Sequence, residues 1–268
     1  MKFLCYSSLL TLVIVVGCQT NPVTGRKSLG LVPASEMQSM SYTEYSTFIS
    51  SHKLSTNAEQ TAMVKRVGMR IQNSVETYMA QNGKSNELKG FKWEFNLIED
   101  PTVNAWCMPG GKVVVYTGIM PVVQSETGLA VVLGHEIAHA IANHGTERMS
   151  QGMVQQMGGV ALDVALANKP AETKALFSQA YNAGSNVAVI LPYSRMHESE
   201  ADHMGLIFMA MAGYNPAEAA VFWQRMKAAS AGSQKPNELL STHPSDDRRI
   251  ADIQKWLPEV NQKYYKPN

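Results

Sequence analysis

The sequence predicts an α+β fold with a mostly helical body and a small β-sheet beside a central helix. Three observations predict it. Residues 58–79 and 126–143 carry apolar side chains at the three-four spacing of buried helix stripes. Only short runs, Phe91–Ile98 and Lys112–Tyr116, have the alternation or β-branched density of strands. The order along the chain is helices, then strands, then helices.

The elements follow in order. Lys2, the apolar run Leu9–Val16, Gly17 and Cys18 have the layout of a secretory signal. Val15-Val16-Gly17-Cys18 resembles a bacterial lipobox, so residues 1–17 are expected to be a lipoprotein signal peptide. Cys18 is then the lipidated first residue of the mature chain, carrying the more than one acyl chain that stable anchoring requires. Residues 18–33, rich in turn formers and polar groups, read as a lipidated tether ahead of a domain over residues 34–268. Thr56 and Glu59 form a capping box for the second helix, whose stripe includes Met63, Val64, Val67, Ile71, Val75 and Tyr78. Phe91, Trp93, Phe95 and Leu97 share one side of the first strand, and Asn104-Ala105-Trp106 extends the sheet. Pro109-Gly110-Gly111 turns into Lys112–Tyr116, a strand that is core or an edge for an extended substrate. Residues 149–190 suggest a helical hairpin. Its Met149, Met153 and Met157 read as hairpin core, with an adaptable binding surface as the rival. Helices near 194–211, 216–229 and 244–256 complete the chain.

Composition bounds the function. Of 268 residues, 45% are apolar and 17% charged, which excludes a disordered chain. A net charge of +1 gives no basis for a nucleic-acid partner. No apolar run after residue 17 reaches the ~18–20 residues of a bilayer span. With Cys5 in the signal and Cys18 lipidated, Cys107 is alone, a small buried hydrophobe with no disulfide partner.

The chemistry sits in His135-Glu136-Ile137-Ala138-His139, an H-E-x-x-H pattern. Residues i and i+4 share a helix face, so both imidazoles reach one zinc ion. Glu136 is placed to take the proton of a water that attacks a carbonyl. The run is apolar, where two histidines and a glutamate are costly to bury without partners. His144 does not have the ten-residue offset of a metzincin third ligand and is expected at the helix C-terminus, where a cation is favoured. The third ligand is expected from the helix holding Glu198, Glu200 and Asp202. Glu198 and Asp202 share a face; Glu200 points roughly away. Glu198 completes a two-His, one-Glu site, and Asp202 is placed to accept a hydrogen bond from a ligating imidazole. Gly205, on the Glu198 face, lets this helix approach closely.

These motifs resemble the zinc metallopeptidase family that includes HtpX, BepA, LoiP, the mitochondrial Oma peptidase and the CAAX prenyl endopeptidase. The shared marks are His135-Glu136-x-x-His139, Glu198-x-x-x-Asp202, Asn104-Ala105 with Pro109-Gly110-Gly111, Pro192-Tyr193-Ser194-Arg195, and Thr242-His243-Pro244 with Arg249. The resemblance, strongest to the small periplasmic lipoprotein members, implies a gluzincin-like fold, one zinc per chain, Glu198 as third ligand and Glu136 as base. His243, Tyr193 and Arg195 are candidates to stabilise the oxyanion. His243, held in an extended direction by Pro244, is also placed to fill the open metal position at rest. The expected activity is a membrane-anchored zinc endopeptidase acting on misfolded or membrane-associated envelope proteins. The rivals are a chaperone or assembly factor with little proteolysis, and an aminopeptidase, for whose amine site no motif is present. Gln19, where inner-membrane retention uses an aspartate, favours the outer membrane, facing the periplasm.

Overall fold

A computed structural model describes residues 17–169, 171–185, 191–230, 238–243 and 247–267. The expected signal segment up to residue 16, Pro244, and the side chains of Pro192 and Tyr193 lie outside the described residues. A hairpin of β1 (Cys18–Thr20) and β2 (Lys27–Leu29), antiparallel, sets Cys18 opposite Leu29. Residues 18–33, expected as a tether, are therefore docked. The cause is local. Asn21 closes the turn by accepting from the backbone N–H groups of Val23 (2.8 Å) and Thr24 (3.1 Å), and its own side chain is buried against Met204.

Two helices follow, α1 (Ala34–Ser51) and α2 (Ala58–Gln81). Asn57, not the expected Thr56, caps α2, its Oδ1 accepting from Gln60 N at 3.0 Å. Asn is at least as good a cap as Thr, and the helix starts one residue later than the capping box implies. Val64, Val67, Ile71 and Val75 of the expected stripe are fully buried.

The three-stranded sheet has the order β3 (Glu94–Ile98), β5 (Lys112–Tyr116), β4 (Ala105–Met108). β5 runs parallel to β3 and antiparallel to β4, with Gly110 (φ 88°) and Gly111 (φ 84°) turning the chain between β4 and β5. β5 is thus central and offers no edge to a substrate. Its Val113, Val114 and Val115 are buried on both faces, which is why the run is continuously apolar rather than alternating. Among the described residues, β4 is the edge strand next to the central helix, and the other edge, β3, is bridged on its outer side by Leu54 at Ile98.

That helix, α4 (Glu126–Ile141), follows the short α3 (Met120–Val123). Ser125 caps it by accepting from Gly128 N, and every residue from Gly128 to Ile141 is buried. A helix buried all round is the core of its domain. Then come α5 (His144–Ala165), α6 (Ala171–Ser185), α7 (Leu191–Met211), α8 (Glu218–Ser230), α9 (Glu238–Thr242) and α10 (Asp247–Lys263). The described residues form an α+β fold with a predominantly helical body. The hairpin expected over 149–190 is α5 and α6, but Met149, Met153 and Met157 are exposed on it rather than core. No described helix is long and apolar enough to cross a membrane.

The crossing of α4 and α7 positions the site. A Cβ at Gly205 would lie 3.0 Å from Gly134 C and from His135 N. Only paired glycines let the two backbones approach so closely, as expected for Gly205.

Candidate metal centre

His135 and His139 lie one turn apart on α4, and Glu198 faces them from α7. His243 follows α9. All four are buried, and one ligand-type atom from each lies within 4.8 Å of the others. His135 Nε2 is 3.1 Å from His139 Nε2 and 3.2 Å from His243 Nδ1. Glu198 Oε2 is 3.3 Å from His135 Nε2, and Glu198 Oε1 is 3.3 Å from His139 Nε2. His243 Nδ1 is 3.0 Å from both Glu198 oxygens. A tetrahedral ion with bonds of 2.0–2.1 Å has ligand-to-ligand edges of about 3.3–3.4 Å, close to these separations.

The proton inventory explains why a cation fits. Asp202 Oδ1 is 3.0 Å from His135 Nδ1, so that nitrogen carries the proton and donates it. His139 Nδ1 is 2.8 Å from His144 Nδ1, and His144 Nε2 is 2.9 Å from Glu200 Oε2. Glu200 has no proton to give, so His144 donates from Nε2 and accepts at Nδ1 from His139. Burial pushes the His144 ring down to about 4, so it is neutral and has that lone pair. The Nε2 atoms of His135 and His139 are then lone pairs that face each other and a carboxylate. Such a group of acceptors is stable only around positive charge. The same demand appears in the titration of His135. Burial and Arg249 push it down, yet Asp202 and Glu198 draw it up to about 9, so a proton fills the cluster unless a metal displaces it. Burial opposes ionisation of Glu198, but His139, His135 and His243 hold it well below the usual carboxylate range.

Glu136 Oε1 supplies a second sign of fit. It is buried with no hydrogen-bond partner among the described residues, and lies 3.5 Å from His243 Nε2. An unpartnered buried carboxylate oxygen is costly and marks a position kept for a ligand.

Arg249 of α10 completes the support. Its guanidinium grips Asp202 through Nε–Oδ2 (2.5 Å) and Nη2–Oδ1 (2.7 Å), and lies 3.5 Å above the Trp223 ring. Burial would raise Asp202, but Arg249 and His135 hold its carboxyl below the usual range. Asp202 is therefore an anion locked between a cation and the His135 N–H.

The structure brings together His135, Glu136, His139, Glu198, Asp202 and His243. Arg195 is elsewhere: it is exposed and lines a cavity of about 540 Å³ with Arg26, Glu200, His203 and Trp256, which no ligand atom reaches. His144 is not at the C-terminus of α4. Asn143 adopts φ 58° and turns the chain, so His144 opens α5 and swings back under His139. Glu200 points away from the cluster as expected, yet it faces a buried network rather than solvent. The sequence reading missed that network. Its local signal was present, since Glu147 and Glu200 sit on helices among buried neighbours and need partners. Their cation, Arg26, is 121 and 174 residues away in the chain, where no spacing rule reaches.

Residues 67–257 match the model of Peptidase family M48. That stretch contains every residue of the cluster, together with Asp202 and Arg249. The chain is 41% identical over 176 residues to mitochondrial metalloendopeptidase OMA1 of Schizosaccharomyces pombe, covering 66% of this chain and 50% of that protein. It is 30% identical over 248 residues to metalloendopeptidase OMA1 of Homo sapiens, covering 90% and 46%. With the beta-barrel assembly-enhancing protease of Escherichia coli it shares 28% over 202 residues, covering 72% and 38%. The chain spans about half the length, or less, of these curated relatives.

Proposed function

This chain belongs to peptidase family M48, and from that membership and the site geometry we propose that it is a zinc-dependent endopeptidase. His135, His139 and Glu198 hold the ion. Bound zinc supplies a Lewis acid that polarises the scissile carbonyl and lowers the pKa of a coordinated water toward ~7. Glu136 takes the proton of the attacking water and returns it to the leaving amine. Asp202, clamped by Arg249, fixes the ring and tautomer of His135. The open edge of β4 offers backbone groups for an extended peptide, the role that central β5 cannot fill. His243 sits where a fourth ligand would, so it closes the site at rest and must leave when substrate enters.

The substrates in this reading are misfolded or membrane-associated envelope proteins, and the enzyme serves protein quality control from a lipid anchor at Cys18. Cys18 is exposed and free at the start of β1. Gln19 favours the outer membrane, facing the periplasm. A relative bears the name of a beta-barrel assembly-enhancing protease, which supports an envelope role. The exposed Met149, Met153 and Met157 favour a second reading, a chaperone that binds unfolded clients with little cleavage.

One observation carries the proposal: acceptor atoms from four buried residues converge beside the unpartnered Glu136 carboxylate. The test compares casein cleavage and bound zinc for the wild type and Glu136→Gln. Zinc in both proteins, with cleavage only by the wild type, is expected. Zinc-loaded wild type that binds unfolded casein without cutting it supports the chaperone reading instead.

A further inference from the structure

We propose that the hairpin following Cys18 is a working part of the metal centre, because Arg26 and Thr24 position the ligand His139 through Glu200 and His144. This rests on the metal-site reading above.

The contacts form one continuous path. Thr24 Oγ1 donates to Glu200 Oε1, and Arg26 Nε donates to Glu200 Oε2 at 2.9 Å. Glu200 Oε2 also accepts from His144 Nε2 at 2.9 Å, and His144 Nδ1 meets His139 Nδ1 at 2.8 Å. Each group has one role available. Glu200 only accepts, Arg26 only donates, and His144 therefore donates upward to Glu200 and accepts from His139. The result is a His139 ring held with Nδ1–H turned away from the ion and the Nε2 lone pair turned toward it. His135 receives the same service from Asp202 and Arg249. The two ligating histidines are thus each backed by a carboxylate that an arginine grips, directly for His135 and through one intervening imidazole for His139.

Arg26 is fixed on its other side. Nη1 and Nη2 fork onto Glu147 at 3.1 and 2.8 Å, and Glu147 Oε2 lies 2.9 Å from His197 Nε2. The His197 ring stacks on His144, with centroids 4.2 Å apart. Arg26 is therefore the cation that α5 and α7 share, supplied by a segment outside the helical body. Planar, bidentate donation is what Arg provides and Lys does not.

The hairpin has docking contacts that do not involve Arg26. Lys84 Nζ donates to Pro22 O at 2.6 Å, Leu31 N donates to Ser150 Oγ at 2.9 Å, and Asn21 is buried. These contacts separate a positioning role from simple attachment, since a variant at Lys84 removes one attachment while Leu31, buried Asn21 and the path to His139 stay in place.

The experiment uses the full chain in detergent, with variants Arg26→Met, Glu200→Gln, Arg26→Lys and Lys84→Met. Zinc affinity is read by competition with a chromophoric chelator, and the visible absorption of the cobalt-loaded protein reports ligand geometry. Arg26→Met and Glu200→Gln are each expected to weaken metal binding about 10–100-fold, the usual effect of losing a group behind a ligand, and to shift the cobalt bands. The double variant should lose little more than either single one, because both break one path. Lys84→Met should keep wild-type affinity and spectrum. A wild-type cobalt spectrum and affinity in Arg26→Met overturns the inference, and so does an equal loss in Lys84→Met. If Arg26→Met does not fold, Arg26→Lys, which keeps the charge and loses the fork, is expected to show a smaller loss and the same spectral shift; an unshifted spectrum there overturns the inference. His135→Ala separates the two levels. Metal retained in that variant sinks the metal centre itself, whereas metal lost there but unaffected in Arg26→Met sinks only the role of the hairpin.

Discussion

His243 contributes two nitrogens with different surroundings. Nδ1 lies among the proposed ligands, 3.0 Å from Glu198, and Nε2 faces the Glu136 carboxylate at 3.5 Å. A single side chain thus touches both the fourth coordination position and the proposed base, the two places that substrate and water must reach. Open position and free base are what a catalytic two-His, one-Glu site needs, so a residue occupying both suppresses turnover. His243→Ala is therefore expected to raise peptidase activity several-fold at unchanged zinc content, measured on casein at saturating zinc. A fall of about 10²-fold would assign His243 to oxyanion stabilisation instead. At this scale the convergence of His135, His139 and Glu198 was legible, because H-E-x-x-H and Glu-x-x-x-Asp are local and helical spacing fixes which side chains share a face. The position of His243 was legible only as a direction set by Pro244, since its reach depends on where α9 packs.

The crossing of α4 and α7 is the element that turns two helix faces into one site. Gly134 and Gly205 meet there so closely that an added Cβ would lie 3.0 Å from the facing backbone, tighter than ordinary contact, and backbone atoms cannot rotate aside. Gly205→Ala is expected to cost about 1–3 kcal/mol by overpacking. It should also weaken zinc binding, because separating the helices draws Glu198 away from His135. Gly145→Ala is the contrast. A Cβ at Gly145 meets nothing within 4 Å, and its backbone is helical, so that variant is expected to gain about 0.4–1 kcal/mol with zinc affinity unchanged. Thermal melts and chelator competition on the two proteins check both statements, and equal behaviour would show that the close approach is incidental. Helix positions and the 149–190 hairpin were legible from periodicity. The order of the strands was not, because a run such as Lys112–Tyr116 reads alike at a sheet centre or edge until its neighbours are known.

Across the whole molecule, the N-terminal segment would join two proposed functions that the sequence kept apart. Residues 18–33 read as a tether because turn formers and polar groups dominate them. In the fold the same residues form a hairpin, with Asn21 buried and Arg26 paired to Glu147 and Glu200. The partners lie on α5 and α7, too far along the chain for any local pattern to join them, so the sequence could show the unpaired charges but not their match. Cys18 stands at the outer end of that hairpin, exposed and paired through the backbone with Leu29. Its side chain is thus free to carry lipid without disturbing the contacts of Thr24 and Arg26. The proposed anchor and the proposed metal support are then adjacent but separable. Acyl chains add about 0.8 kcal/mol per buried CH₂, enough with more than one chain to hold a protein on a bilayer. Cys18→Ser is expected to abolish incorporation of labelled palmitate and to move the protein out of the stable membrane-bound mature form. The same variant should keep wild-type zinc affinity, because the path from Arg26 to His139 is intact. Equal palmitate labelling of wild type and variant would refute lipidation at Cys18. Loss of zinc together with the label would show that the anchor itself holds the hairpin in place, and that the metal centre depends on the membrane.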